Sequence, residues 1–313
     1  MNSIAWGTWP ARVISWCCLF MILAAGQCRL ERWLIARLHR HSRAARLPAA
    51  PCVQPKSIPL PARERIRFLA ALLGLLAGAS IPLAPDLQIG PWKVALHLFG
   101  NIDLAFLYAL SLEWVSAVMI ALADDEGTVQ SRWQAMSGLV TGSLPLLLLL
   151  LSLAITVVTL DPSQKPIPSP VEIIALQGPA PLATPNHASG RWLGAWQPLA
   201  ALLWLIGGAP LRPSLHTRAT LAWRIHALNR ALLFSTLFLG GWQGPLAAQS
   251  TALGFLCTAL HVGIVTTAWT WAWVSLPPSP AAGRLRTART LIPATALNLL
   301  ITVLATMLSA RSA

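Results

Sequence analysis

The chain has 313 residues, 55% of them hydrophobic and only 11% charged, with a mean hydropathy of +0.61. A soluble domain carries about 25% charged residues, and half that amount cannot cover a water-facing surface, so a soluble globule is excluded. The remaining charge is lopsided, 23 Lys+Arg against 10 Asp+Glu for a net of +13. The basic residues fall between apolar runs, which marks membrane topology and not a nucleic-acid footprint.

A membrane-crossing helix needs about 20 mostly apolar residues. In chain order, eight stretches qualify: Val13–Gln27, Phe68–Leu83, Leu104–Ala123, Ala135–Leu160, Trp192–Gly208, Ala219–Trp242, Ala252–Leu276 and Leu291–Ala310. Val13–Gln27 and Trp192–Gly208 are short, but bounding arginines can snorkel. The dense basic segment after the first run is the wrong flank for signal cleavage, so that run is expected to remain as a span. The expected fold is therefore an all-α bundle of eight transmembrane helices forming a single membrane domain over 1–313.

Loop charge tests the count independently. The 29–67 connection holds ten basic residues, and taking every second connection from there collects 18 of the 23. The other side keeps Arg12, Lys93, Lys165, Arg191 and Arg311. That alternation is what the positive-inside rule predicts for a bacterial inner-membrane protein with both termini on the outer side. Asp124, Asp125 and Glu126 make one inner connection acidic, but acids weigh little in orientation. The 161–191 connection carries seven prolines, a density that predicts an extended outer loop without helix.

Few residues are positioned for chemistry. The five cysteines form no C-x-x-C and read as packing residues. His39-x-His41 sits among arginines with no carboxylate nearby, so it suits lipid head groups or an acidic partner better than a metal. No G-x-G-x-x-G or Walker A loop is present, so the chain is not expected to bind NADH or ATP.

Glu113 falls mid-span, where an ionised carboxylate costs about 2.5 kcal/mol or more. Its helical neighbours Ala109, Ser116 and Ala117 are small, so that face is expected to pack against other helices. It reads either as a proton-relay carboxylate or as a hydrogen-bonded structural acid. Trp223, His226 and Arg230 share a helix face at i, i+3 and i+7. They read either as a polar pocket for an anionic or quinone-like head group, or as an amphipathic entry with Arg230 snorkelling. His261 and Asn298, inside other spans, are expected to be interhelical hydrogen-bond donors.

Leu237-Phe238-Leu239-Gly240-Gly241-Trp242-Gln243-Gly244-Pro245 resembles the L-F-L-G-G-W-x-G-P motif of the NADH dehydrogenase subunit 1 family, a membrane component of the NADH-quinone oxidoreductases, at the end of that family's sixth helix. Other pieces follow in the family's order. Glu31-Arg32 with Ala36-Arg37, Asn101-Ile102 with Leu107-Tyr108, Trp196-Gln197-Pro198, Trp273-Val274, and Leu291-Ile292-Pro293 with Leu297-Asn298-Leu299 resemble its first, third, fifth, seventh and eighth helices. The family's long first inner loop is shortened here, with only Val53-Gln54-Pro55 similar. A carboxylate at the fourth helix is replaced around Thr141-Gly142-Ser143, and the acidic signature after the fifth is reduced to Gly208-Ala209-Pro210-Leu211-Arg212-Pro213.

The resemblance implies eight helices and a membrane subunit of a complex-I-type oxidoreductase, anchoring a soluble electron-transfer arm and contributing to a quinone chamber. It implies quinone as substrate, with iron–sulfur clusters and flavin in partner subunits and no cofactor bound by this chain. Arg32 and Arg37 match family positions near that chamber, His226 and Arg230 are further chamber candidates, and Glu113 is the proton-path candidate. Other oxidoreductase subunits and membrane lipid are the expected partners, and nucleic acid is not. A second reading is a non-catalytic structural subunit of a related complex such as a membrane-bound hydrogenase. A third, a small-molecule transporter, is weakened by the absence of inverted repeats.

Overall fold

A computed structural model describes residues 9–41, 60–89, 92–94, 96–99, 105–124, 144–157, 169–177, 197–207, 221–243, 250–275 and 281–312. Arg43, Arg46, Lys56, the Asp125-Glu126 pair, Arg132, Lys165, Arg191, Arg212 and Arg218 lie outside the described residues, as do Asn101-Ile102, Val53-Gln54-Pro55 and the Thr141-Gly142-Ser143 and 208–213 segments.

Among the described residues, the fold is all-helical apart from one small hairpin. The helices are α1 (Trp9–His41), α2 (Leu60–Gly78), α3 (Ala105–Asp124), α4 (Leu144–Val157), α5 (Pro170–Gln177), α6 (Pro198–Gly207), α7 (Leu221–Phe238), α8 (Thr251–Ser275) and α9 (Ala281–Ser312). Between α2 and α3, β1 (Leu87–Ile89) pairs antiparallel with β2 (Trp92–Val94), Gln88 opposite Lys93. Each of the eight predicted stretches overlaps a helix among the described residues. Among the described residues, four segments are long and apolar enough to cross a membrane: Pro10–Leu38, Ala105–Ala123, Thr251–Ala272 and Thr290–Leu308.

Proline explains how so proline-rich a chain folds this way. Pro10, Pro61, Pro145, Pro170 and Pro198 each sit in the first turn of a helix. There the missing N–H would have had no intrahelical partner and the fixed φ suits the helix. This corrects the expectation for 161–191, because α5 lies inside it. Ser169-Pro170-Val171-Glu172 builds a capping box: the Glu172 N–H donates to Ser169 Oγ at 3.3 Å and the Ser169 N–H donates to Glu172 Oε2 at 2.6 Å. The proline that argued against a helix occupies its first position.

Apolar residues fill the core and also cover the outer surface. From Ala222 to Phe238, every residue of α7 except Arg224 is buried, and α1, α2, α3, α5, α6 and α8 all pack against this central helix. The outward faces are apolar: Leu256, Leu260 and Ile264 on α8, and Leu297, Leu300, Ile301 and Leu304 on α9, are all exposed. Such a surface suits hydrocarbon and leaves helix–helix association to close packing and interior hydrogen bonds.

Small residues on α2 provide that close packing. Ala70, Gly74 and Gly78 recur every four residues, the small-x-x-x-small spacing of tightly apposed membrane helices. A Cβ at Gly74 would lie 2.7 Å from Ile225 Cγ2, and one at Gly78 would lie 2.7 Å from Asn229 Oδ1 and 3.0 Å from Phe20. Gly240 and Gly241 end α7 with φ of 76° and 58°, a left-handed pair that L side chains resist. The Gly241 N–H donates to Ser235 O, and the Gly240 N–H donates to Gln177 Oε1 of α5 at 3.1 Å. Gln177 Nε2 donates in turn to Thr236 O at 2.7 Å, so α5 seals the end of α7.

Gly78→Ala is expected to lower stability by about 1–3 kcal/mol through overpacking, read as a reduced Tm in detergent. Gly26→Ala, where a Cβ meets nothing within 4 Å, should leave Tm unchanged or slightly raised.

His97, in the connection between β2 and α3, is 5% exposed. Burial holds its pKa below the usual value, opposed by Asp86 and aided by Arg12. The folded state thus favours neutral imidazole, and stability present above pH about 6.5 is lost as pH falls through the depressed folded value. Tm should fall on acidification below about pH 6.5, and His97→Gln should flatten that dependence.

Candidate functional site

The buried charges converge where α2, α3 and α7 meet. Glu113 lies near the middle of α3 and is 0% exposed. Across from it, His226, Asn229 and Arg230 occupy the middle of α7 at i, i+3 and i+4, all buried. His226 Nδ1 lies 2.5 Å from Glu113 Oε2, and Asn229 Nδ2 donates to Glu113 Oε1. The same amide donates to Gly74 O at 2.6 Å, tying α2 to the pair. Arg230 stands close enough for Glu113 to act on its guanidinium electrostatically. One turn further along α3, Ser116 Oγ donates to Ala70 O at 2.9 Å.

The sequence places these groups by simple means. The small residues flanking Glu113 let α3 approach α2 closely, as the exposures of Ala109 (1%) and Ser116 (0%) show. Gly74 and Gly78 remove the side chains that would block Ile225 and Asn229. Both oxygens of the carboxylate are engaged, and Arg230 supplies the compensating positive charge that a buried anion requires.

Chemically, the site is an acid–base pair next to a fixed cation. Glu113 and His226 share one short hydrogen bond, so a proton on that axis belongs to either the imidazole or the carboxyl. Arg230 keeps its positive charge beside that axis whichever group holds the proton. Adding a proton converts a neutral cluster into a net cation in a medium that resists charge. The arrangement can therefore hold, release or relay one proton. Among the described residues no group of three His, Cys, Asp or Glu is placed to hold a metal ion.

The structure brings together Glu113, His226 and Arg230, which come from separate sequence readings. It corrects the amphipathic-entry reading, because Arg230 is 9% exposed and buried beside Glu113 instead of snorkelling. Arg32 and Arg37 stand exposed on α1, with the Arg37 guanidinium 5.2 Å above the Trp33 ring, and are not among the cluster's hydrogen-bond partners given above.

Asn298 makes the expected interhelical bond, whereas His261 bonds the turn that follows α7 instead of another helix. His261 Nδ1 lies 2.9 Å from Gly241 O, and Asn298 Nδ2 donates to Ser152 Oγ at 2.9 Å. The second bond belongs to an uncharged seam in which Ser152 and Thr156 of α4, Gln197 before α6 and Thr302 of α9 hydrogen-bond to one another. Sequence reading missed Asn229, although its spacing from His226 placed it on the Glu113 side. It also missed Gly74-x-x-x-Gly78, whose spacing was the available signal, and Gln177, for which the sequence offered none.

Glu113→Ala should destabilise the protein by roughly 3–5 kcal/mol, because it leaves Arg230 uncompensated in the interior. Glu113→Gln also leaves Arg230 uncompensated, but it keeps the side-chain shape and one oxygen to accept from Asn229, so it should cost less. Thermal unfolding of the two purified variants in detergent measures the gap.

No family model matches the chain, and no curated protein matches it.

Proposed function

We propose that this chain is an eight-span membrane subunit of a complex-I-type quinone oxidoreductase, with both termini on the outer side of a bacterial inner membrane and Glu113 as its proton-handling carboxylate. The observation that carries the reading is the buried Glu113–His226–Asn229–Arg230 cluster at the middle of two packed helices. A charged acid–base pair at that depth is expensive, and a purely structural staple is more cheaply built from amides and hydroxyls, as the Ser152–Gln197–Asn298 seam is.

The connections support the eight-span arrangement. Alternation assigns the end of α2, the hairpin, α5, the end of α7 and the start of α8 to one side. These parts touch each other: Thr251 Oγ1 donates to Asp86 O at 3.1 Å, Gly254 packs on Pro85 and Trp242, and Gln177 and His261 both bond the Gly240-Gly241 turn. The opposite side carries most of the arginines. There α1, at about 50 Å for its 33 residues, outlasts a hydrocarbon core of about 30 Å. On this reading its exposed Arg32 and Arg37 project toward the peripheral electron-transfer arm, which supplies flavin and iron–sulfur clusters. His226 and Arg230 would then couple quinone chemistry to Glu113.

Affinity purification of the tagged chain from its native membrane tests the assembly, and co-purifying flavin and iron–sulfur oxidoreductase subunits are expected. Recovery of the chain without any such subunit overturns the proposal. In the assembled complex, Glu113→Gln should preserve assembly and reduce proton pumping at least about tenfold, as expected when a proton carrier is removed. Unchanged quinone reduction and pumping would instead favour the scaffold reading.

A further inference from the structure

A second group of polar residues, none of them a hydrogen-bond partner of Glu113, lies on the first turns of α1 and in the segments that follow α2 and β2. Arg12, Trp16 and Phe20 occur at i, i+4 and i+8 and share one face of α1. Trp16 and Phe20 stack with ring centroids 4.8 Å apart, and Phe20 lies 3.0 Å from where a Cβ of Gly78 would stand. Ser80 follows two residues later. Ala79 O accepts hydrogen bonds from Leu98 and Phe99 at 3.0 and 3.1 Å, which lays the His97 segment alongside Ser80. Arg12 and Asp86 both act electrostatically on His97.

Within this neighbourhood Arg12 Nε, Trp16 Nε1, Ser80 Oγ and His97 Nδ1 are buried polar atoms without a hydrogen-bond partner among the described residues. Ser80 is 0% exposed, Trp16 3% and His97 5%. Buried polar atoms left unpaired are rare, and each needs an explanation. The kind of atom is informative. A guanidinium Nε–H and an indole N–H can only donate, while a hydroxyl and a neutral imidazole can also donate. Such a set matches an acceptor with several oxygens and a negative charge. One arginine, with Asp86 close by, balances a monoanion better than a dianion. Trp and Arg at a helix end are also residues of the head-group level in membrane proteins.

We propose that Arg12, Trp16, Ser80 and His97 form a binding site for a phosphate group, supplied either by a phospholipid head group or by free phosphate. The guanidinium neutralises the charge, and the indole and hydroxyl donors fix its orientation. The site is independent of the complex-I reading, since it requires only that the first helix lie in the membrane.

The full chain, purified in mild detergent, tests this by native mass spectrometry for retained phospholipid. After delipidation, calorimetric titration with short-chain phosphatidylglycerol and, separately, with inorganic phosphate distinguishes the sources. One phosphate-bearing ligand per chain is expected. Arg12→Gln should weaken binding by about tenfold or more, as for loss of a charge-assisted hydrogen bond. Ser80→Ala should weaken it less, and Arg65→Gln, on the exposed face of α2, should leave it unchanged. Binding of the lipid alone identifies the head group, and binding of inorganic phosphate identifies the free ion. If neither binds the wild type, or if Arg12→Gln and Ser80→Ala bind as the wild type does, the proposal fails. Ser80→Ala, the loss of one oxygen, carries the comparison if Arg12→Gln does not fold.

Discussion

An ionisable carboxylate in the middle of an apolar helix constrains nearly everything around it. Glu113 cannot face lipid, so α3 must turn it toward other helices. It cannot be buried alone either, so a cation and hydrogen-bond donors must meet it there. Arg230, His226 and Asn229 satisfy that need, and all three come from α7. A helix carrying Arg, His and Asn must itself be wrapped, and α7 accordingly becomes the post around which six other helices pack. The central position of this rather polar helix follows from the acid on α3.

Wrapping a polar helix in a membrane requires close approach, because lipid supplies no hydrophobic drive for helices to associate. The alanine and glycine ladder on α2 provides it. With no side chain at Gly74, Ile225 fits against the helix and the backbone carbonyl becomes an acceptor for Asn229. With no side chain at Gly78, there is room for the amide oxygen of Asn229 and the ring of Phe20. One amide therefore bonds α2 and the Glu113 carboxylate at once. The charge cluster and the glycine spacing form one device: without the glycines Asn229 has no room, and without Asn229 one carboxylate oxygen loses its donor.

How far the sequence reveals this depends on how local each signal is. The apolar stretches are local, and each of the eight predicted ones overlaps a described helix. Glu113 stood out because a single carboxylate mid-span is anomalous by itself. The Trp223-His226-Arg230 face was visible from spacing, but its partner was not, since 113 residues separate Glu113 from His226. Hydropathy alone read Arg230 as a snorkelling boundary residue. Pairing with a buried anion overrides that estimate, and pairing is a tertiary fact. The signal for α5 is of another kind. Ser169-Pro170-Val171-Glu172 is a legible capping box, but proline density conceals it unless the position of each proline is weighed. Proline in a first turn starts a helix, whereas proline in the interior stops one.

The described part of the stretch that ends α7, residues 237–243, has a physical account. Gly240 and Gly241 take left-handed conformations, the Gly240 N–H is capped by Gln177, and Gly241 O meets His261. Ile174 packs where a Cβ at Gly241 would stand. Its glycine pair works in helix termination and docking, binding α5 and α8 to the end of the central helix. The turn is thus a structural device that fixes how α5 and α8 meet α7. The chemistry rests on different residues, about two turns back along the same helix, where His226, Asn229 and Arg230 meet Glu113. A chain could keep the first and lose the second. The cost of holding a charged cluster at that depth is the physical ground on which a proton-handling role is proposed for it.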